Sequence, residues 1–234
     1  MRKIRFLSVL MTLATTVGLT SISVVANAQV RWTPDPERGR ASSSMSGGRR
    51  GTPFAACALD HGKPDPAITL LVPDGSVNLT TEALPTLSWF LESDQVVEME
   101  FVLSSPESAS AIYTQQIRSA AGLVEVALPE SAALEPEIPY RWTVFVECDG
   151  GEYSIHARSF VQRTEAAMTG ASLEASPLEL ASSYAAQGIW YDALNTLVSA
   201  YREESEMDTL LEIRSLLRQA DAEVPLDLSL AAES

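Results

Sequence analysis

Between residues 67 and 161, short runs of apolar residues alternate with turn residues, and no helical period appears. In the clearest run, Val96 to Leu103, apolar positions alternate with Glu98 and Glu100. A period of two predicts a β-strand with one solvent-exposed face. Seven short strands over about 100 residues favour an all-β antiparallel sandwich of two sheets. The other six predicted strands are Ile68 to Pro73, Pro85 to Leu91, Ile112 to Ile117, Leu123 to Leu128, Tyr140 to Cys148 and Tyr153 to Val161.

After Val161 the apolar positions take up a helical period. We expect a helical hairpin and a third helix in residues 177–221, after a sandwich domain in 57–163 and a linker in 164–176. Residues 222–234 are expected to be a frayed tail. The three helices are predicted from Ser176-Pro177 to Gly188, from Trp190 to Arg202 and from Met207 to Ala220.

The first 28 residues have the pattern of a secretory signal peptide. Arg2, Lys3 and Arg5 precede an apolar run, and small residues at Ala26 and Ala28 form a cleavage site. An uncleaved signal anchor is the alternative, because the apolar run is about long enough to cross a bilayer. We expect cleavage after Ala28 and export to the periplasm or the medium, with no membrane span left in the mature chain.

Residues 29–56 are predicted to be a flexible arm rich in Arg, Gly and Ser. Residues 29–57 carry five arginines against two acidic residues, and no apolar period is present. The arm acts either as a plain tether or as a contact for acidic glycans and phosphates. In the second case the contacting side chains are Arg38, Arg40, Arg49 and Arg50.

The charge balance argues against one class of partner. The chain has 16 Lys and Arg residues against 31 Asp and Glu residues, which gives a formal net charge of −15. Nucleic-acid binders need a dominant basic surface. We therefore expect no nucleic-acid partner.

The two cysteines, Cys57 and Cys148, are predicted to form a structural disulfide. Outside the cytoplasm, two cysteines most simply pair. A redox-active pair is the alternative, but such pairs usually occur as Cys-x-x-Cys, and these two are far apart in the sequence.

Motifs of catalysis are missing from the sequence. It has no Gly-x-Ser-x-Gly elbow, no Ser-x-x-Lys and no phosphate-binding glycine loop. His61 and His156 lack the neighbours that zinc ligation requires. Glu98 and Glu100 are read as the solvated face of a strand. We therefore expect no catalytic residue, no metal site and no cofactor, although accidental carboxylate pairs keep a hydrolase as a remote alternative.

Three aromatic residues are predicted to anchor the sandwich core: Trp89, Tyr140 and Trp142. A tyrosine that opens the penultimate strand and bonds back across the preceding corner is a mark of Greek-key sandwiches. In its Leu-x-Pro-x-x-x-Tyr-x-Trp spacing the stretch from Leu134 to Trp142 resembles a fibronectin type III domain. A sugar-stacking platform is the alternative role, but the alternation points these rings inward.

The first two predicted helices resemble a single tetratricopeptide hairpin. One such unit cannot bury its apolar face alone. That face is therefore expected to cover the third helix, the sandwich or another molecule. The hypothesis for partner binding names Tyr184, Trp190 and Tyr191, and packing within the chain is the alternative for the last two. The matching positions are Leu180, Ala181, Tyr184, Gly188, Ala193, Leu197 and Ala200.

A set of short motifs occurs over roughly residues 50 to 200: Gly51-Thr52, Cys57, Leu70 to Pro73, Leu84 to Thr86, Leu134-Glu135, Tyr140 to Trp142 and Cys148-Asp149. The most specific marks are the Cys/Tyr-x-Trp spacing and the segment from Gly188 to Leu194. In these marks the chain resembles the exported cyanobacterial proteins grouped as domain of unknown function 928. The resemblance implies a location in the cell envelope and no reaction.

The sequence therefore predicts an exported, non-catalytic interaction or scaffold protein of the cell envelope. Its helical hairpin docks a protein partner or caps the sandwich. The alternative is a module that binds the envelope or an acidic polysaccharide through the sandwich and the arginine-rich arm.

Overall fold

The computed structural model describes residues 29–34, 65–105, 110–148, 153–165 and 175–225; for residues 147, 148, 153 and 154 it describes the backbone alone. These parts contain eight strands followed by three helices. The strands are β1 (Ala67–Leu70), β2 (Val77–Thr80), β3 (Thr86–Glu92), β4 (Val97–Ser104), β5 (Ala111–Ser119), β6 (Gly122–Ala127), β7 (Pro139–Cys148) and β8 (Tyr153–Arg163). The helices are α1 (Pro177–Ala186), α2 (Trp190–Glu204) and α3 (Met207–Gln219), and a short 3-10 turn covers Glu130–Ala132.

The strands form two sheets. One has three strands in the order β1-β3-β6, and the other has five in the order β2-β8-β7-β4-β5. Every pairing is antiparallel except one, because β2 runs parallel to β8. The second sheet is therefore mixed, which corrects the prediction of an all-antiparallel fold.

Seven of the eight strands coincide with the predicted runs, and β2 is the strand that no predicted run covers. Its four residues, Val77–Thr80, alternate too briefly to stand out from the turn residues around them. β7 and β8 pair from Pro139↔Gln162 to Cys148↔Tyr153, as expected for a hairpin. The predicted turn residues Asp149 to Gly151 lie outside the described parts.

Aromatic rings fill the space between the sheets. Trp89, Phe101 and Trp142 are fully buried, and their ring centroids lie 6.2 to 6.4 Å apart. Tyr140 is also buried, and its hydroxyl accepts a hydrogen bond of 3.2 Å from the backbone N–H of Glu135. The bond closes the corner between the 3-10 turn and β7.

Local sequence signals set the ends of α1. Ser176 caps its amino end: its hydroxyl accepts from the Glu179 N–H, and the Glu179 carboxylate accepts from the Ser176 N–H. This reciprocal pair is a capping box. Gly188, with φ of 76°, then provides the left-handed residue that reverses the chain into α2.

The helices pack onto the sheets instead of projecting from them. At its amino end α2 contacts Leu71, directly after β1, and the helix also contacts β2 and β3. Further along α2, Arg202 forms an ion pair with Glu125 of β6. Ser88 of β3 pairs with Glu125 of β6. Ser88 and Phe90 are both buried, and they lie on the face of β3 opposite to that of Trp89. Because α2 covers this face, β3 is buried on both sides, and the sheets and helices share one continuous apolar core.

Residues 29–34 form an ordered segment, here called the N-terminal strap. Val30 is 0% exposed, and its N–H donates to the Glu212 carboxylate of α3 at 3.0 Å. Trp32 packs edge-on against Trp190 with ring centroids 5.0 Å apart. The first six residues of the predicted arm thus pack against α2 and α3, and apolar burial at Val30 and Trp32 offsets the cost of ordering them.

The carboxyl end of the helical layer also continues further than predicted. Ala222, placed in the frayed tail, is 3% exposed, and its N–H donates to the carbonyl of Leu217 at 3.0 Å. Throughout the described residues, no helix has the length and apolar character that crossing a membrane requires.

Candidate functional site

Three consecutive residues at the amino end of α2, here called the docking triplet (Trp190, Tyr191 and Asp192), join the helices to the sheets. The Trp190 indole N–H donates to the carbonyl of Leu71 at 2.8 Å. The Tyr191 hydroxyl accepts from the Trp142 indole N–H at 2.8 Å and donates to the carbonyl of Phe160 at 3.2 Å. Each polar atom therefore has a partner in a buried setting, where an unmade hydrogen bond would be costly.

Asp192 completes the docking triplet with a carboxylate clamp. Its Oδ1 accepts from the Thr80 hydroxyl at 2.5 Å, and its Oδ2 accepts from the Thr81 N–H at 2.8 Å and from the Thr81 hydroxyl. Burial raises the pKa of Asp192, and the hydrogen bonds from Thr80 and Thr81 oppose the shift. The position in the first turn of α2 favours a negative charge through the helix dipole.

The docking triplet changes the interpretation of two predicted partner contacts. Trp190 is 0% exposed and Tyr191 is 1% exposed, so neither ring offers a surface to another molecule in this structure. The alternative, packing within the chain, describes both residues. Burial also raises the pKa of the Tyr191 hydroxyl far above its usual range. Sequence spacing alone did not distinguish these roles, because an interface aromatic and a core aromatic occupy the same helical positions.

A cleft of about 520 Å³ opens beside the docking triplet, between the helical hairpin and the segment that joins β2 to β3. Tyr184, the third predicted partner contact, is partly exposed and lines this cleft. Here this feature is called the hairpin cleft. Its lining residues are Glu82, Leu84, Pro85, Thr86, Ala175, Pro177, Leu180, Tyr184, Asp192, Asn195, Thr196, Ser199, Ala200 and Glu203.

The hairpin cleft is acidic. Glu82 and Glu203 are exposed at its sides, Asp192 is buried in its wall, and its described lining includes no Lys, Arg or His. Asn195 donates through Nδ2 to the Thr86 carbonyl at 3.0 Å, whereas its buried Oδ1 has no hydrogen-bond partner among the described residues. Burial, and then the Asp192 charge, raise the pKa of the Tyr184 hydroxyl. The cleft is therefore rich in oxygen acceptors.

The remaining predicted residues fall into three groups. Trp89, Tyr140 and Trp142 lie in the core described above. His156 is exposed on β8, with its ring 5.8 Å from that of Phe145. Outside the described parts lie the predicted signal peptide, Cys57, the side chain of Cys148 and the arm residues Arg38, Arg40, Arg49 and Arg50. The disulfide and the role of the arm thus stay predictions.

Within the ranges that the structure describes, no group of three or more His, Cys, Asp or Glu side chains has the arrangement of a metal site. The carboxylate of Asp192 accepts three hydrogen bonds from Thr80 and Thr81, and these bonds hold α2 against the end of β2. What the hairpin cleft offers is an open, preformed surface with acidic and apolar walls.

Comparison with known proteins adds a family but no activity. No curated protein matches the chain. Among solved structures, an engineered protein aligns with 9% identity over 44% of this chain and 21% of its own, at a TM-score of 0.29, which is too low to carry an argument. The chain thus spans about a fifth of that matched structure. A family model described as Domain of Unknown Function (DUF928) matches residues 45–229. The chain belongs to the DUF928 family.

Proposed function

We propose that this protein is an exported, non-catalytic interaction module of the cell envelope that binds a protein partner in the hairpin cleft. The observation that carries the proposal is the docking triplet beside the cleft. Because Trp190, Tyr191 and Asp192 are bonded to the sheets, the helices that form one wall are held against the β2–β3 segment that forms the other. A preformed cleft loses little conformational entropy on binding.

The proposal combines the two roles predicted for the helical hairpin. One face of α2 caps the sheets through the docking triplet, while Ser199 and Glu203 remain exposed along the cleft. Leu84, at 38% exposure, adds apolar area to the opposite wall. A mixed apolar and polar surface of this kind suits a peptide segment better than a small apolar ligand.

We also infer that the two sheets form a sandwich of the fibronectin type III kind. Taking β1, β3 and β6 as sandwich strands A, B and E puts β4, β7 and β8 at positions C, F and G. The hydrogen bond between the Tyr140 hydroxyl and the Glu135 N–H supports the same assignment, since it has the form of a tyrosine corner.

The test fills the cleft. A tagged chain that begins at Gln29 is incubated with the native envelope fraction, and the captured proteins are compared with those captured by Ser199→Trp. Ser199 is exposed in the cleft wall, so an indole there obstructs the cleft without entering the core. The matched control is Thr114→Trp on the exposed edge strand β5, away from the cleft lining.

We expect at least one protein to be captured by the unaltered chain and by Thr114→Trp, but not by Ser199→Trp. If Ser199→Trp, folded as judged by circular dichroism, captures the same proteins as the control, the cleft is not the binding site. The polysaccharide alternative depends on the arginine-rich arm, and it predicts binding that weakens steeply with salt.

A further inference from the structure

We propose that the hairpin cleft binds a cationic peptide segment, in which an Arg or Lys side chain enters between Glu82 and Glu203 and a neighbouring apolar side chain packs on Leu84. This inference rests on the proposed function and names the chemistry of the partner. The charge of the cleft, an acceptor without a partner among the described residues and the apolar part of the lining support it.

The first argument is charge complementarity. The side chains of Glu82 and Glu203 are exposed at the cleft, and no described lining residue supplies a compensating cation. Asp192 adds a third carboxyl group in the wall, already held by Thr80 and Thr81. An anionic ligand would meet like charges here, whereas a guanidinium or ammonium group would meet opposite ones.

The second argument is an acceptor without a donor. Asn195 Oδ1 is buried and accepts no hydrogen bond among the described residues, although Asn195 lines the cleft. Buried polar atoms without a partner are uncommon in folded proteins. A guanidinium group carries five N–H donors in a planar fork and no acceptor. Its donors can therefore serve more than one oxygen acceptor at the same time.

The third argument is the apolar part of the lining. Leu84, Pro85, Pro177 and Leu180 lie in the same cleft as the acidic residues. The aliphatic stem of Arg or Lys packs on such a surface while its charged end remains near the carboxylates. A sugar-binding site would be expected to offer aromatic faces, and Tyr184 is the one aromatic residue in the described lining.

The experiment measures peptide binding to the chain that begins at Gln29. The probes are two acetylated, amidated peptides, Leu-Arg-Ala-Arg-Leu and the same peptide with citrulline in place of Arg, titrated by calorimetry at low and physiological salt. Citrulline keeps the size of Arg and loses the charge. The protein variants are Glu82→Gln/Glu203→Gln in the cleft and Glu92→Gln/Glu98→Gln on exposed strand positions outside the lining, which change the net charge equally.

We expect the Arg peptide to bind about tenfold more tightly than the citrulline peptide, since two exposed ion pairs contribute up to roughly that factor. Glu82→Gln/Glu203→Gln should remove most of this difference, and Glu92→Gln/Glu98→Gln should leave it within about twofold. Equal binding of the two peptides, no binding of either, or an equal loss in both double variants would overturn the inference. If Ser199→Trp still abolishes partner capture in those cases, the cleft is a binding site for a partner that is not cationic.

Discussion

At the scale of single residues, the Tyr191 hydroxyl makes two buried hydrogen bonds that join the helices to the sheets. It bonds at once to the Trp142 indole and to the Phe160 carbonyl, so it joins α2 to two neighbouring strands of the five-stranded sheet. The sequence shows a tyrosine at a helix start, and the alternation predicts that Trp142 points inward. That the two side chains meet depends on the path of the chain between them, which no local pattern encodes.

Tyr191→Phe is expected to lower the free energy of unfolding by about 2 kcal/mol, because it leaves the buried indole N–H of Trp142 without its acceptor. Urea unfolding followed by circular dichroism measures the change. The control is Tyr201→Phe, a half-buried tyrosine of the same helix, which should change stability by less than about 0.5 kcal/mol. Equal effects of the two substitutions would contradict the role assigned to Tyr191.

The carboxyl group of Asp192 is expected to make the folded protein less stable as the pH rises. Its pKa in the folded protein is raised above 3.8 by burial. Its favourable contribution is therefore fully present below the unfolded pKa and is lost as the pH rises through the higher folded value. We expect the stability of the unaltered chain relative to Asp192→Asn to decrease from pH 3.5 toward pH 7 in urea unfolding. A relative stability that increases over this range would show a lowered pKa instead.

At the scale of elements, the N-terminal strap is held at the turn between α1 and α2. The Thr33 N–H donates to the Ala185 carbonyl at 3.1 Å, and a Cβ on Gly188 would lie 3.2 Å from the Thr33 carbonyl oxygen. Gly188 therefore serves both the left-handed turn and the close approach of the strap.

Gly188→Ala is expected to destabilise the protein by more than Gly75→Ala. Both glycines have φ of 76°, so each alanine carries a similar backbone strain of roughly 1 to 2 kcal/mol, but a Cβ on Gly75 meets nothing within 4 Å. The additional loss of stability in Gly188→Ala measures the contact with the strap. Thermal unfolding compares the melting temperatures of the two variants directly. Equal melting temperatures of the two variants would mean that the contact between the strap and this turn does not contribute to stability.

The elements also show how far sequence patterns reach. Seven strands and three helices follow from periods of two and 3.6, from the capping residues Ser176 and Glu179, and from the turn residues between them. β2 was not predicted because four residues are too few to establish a period. The packing of the strap was not predicted because Val30 and Trp32 stand among polar and Pro residues. Their burial depends on distant partners on α3 and α2.

At the scale of the whole molecule, the central claim is that sheets and helices unfold as one unit and so keep the hairpin cleft formed. The apolar core runs without a break from the sheets into all three helices and the strap. The sequence predicted a separate linker and helical segment but left open what the helices cover. The cleft itself was not predicted, because its walls come from residues more than 100 positions apart, such as Glu82 and Glu203.

Native-state hydrogen exchange tests this claim most directly, because it measures the opening free energy of each amide. The comparison is between amides in the middle of β7, such as Val144, and amides in the middle of α2, such as Leu197, both buried. If the molecule is one cooperative unit, both exchange with the free energy of global unfolding, and Tyr191→Phe lowers both together. Exchange of Leu197 through a clearly smaller opening free energy than that of Val144 would contradict the account, because the helices would then detach while the sheets stay folded.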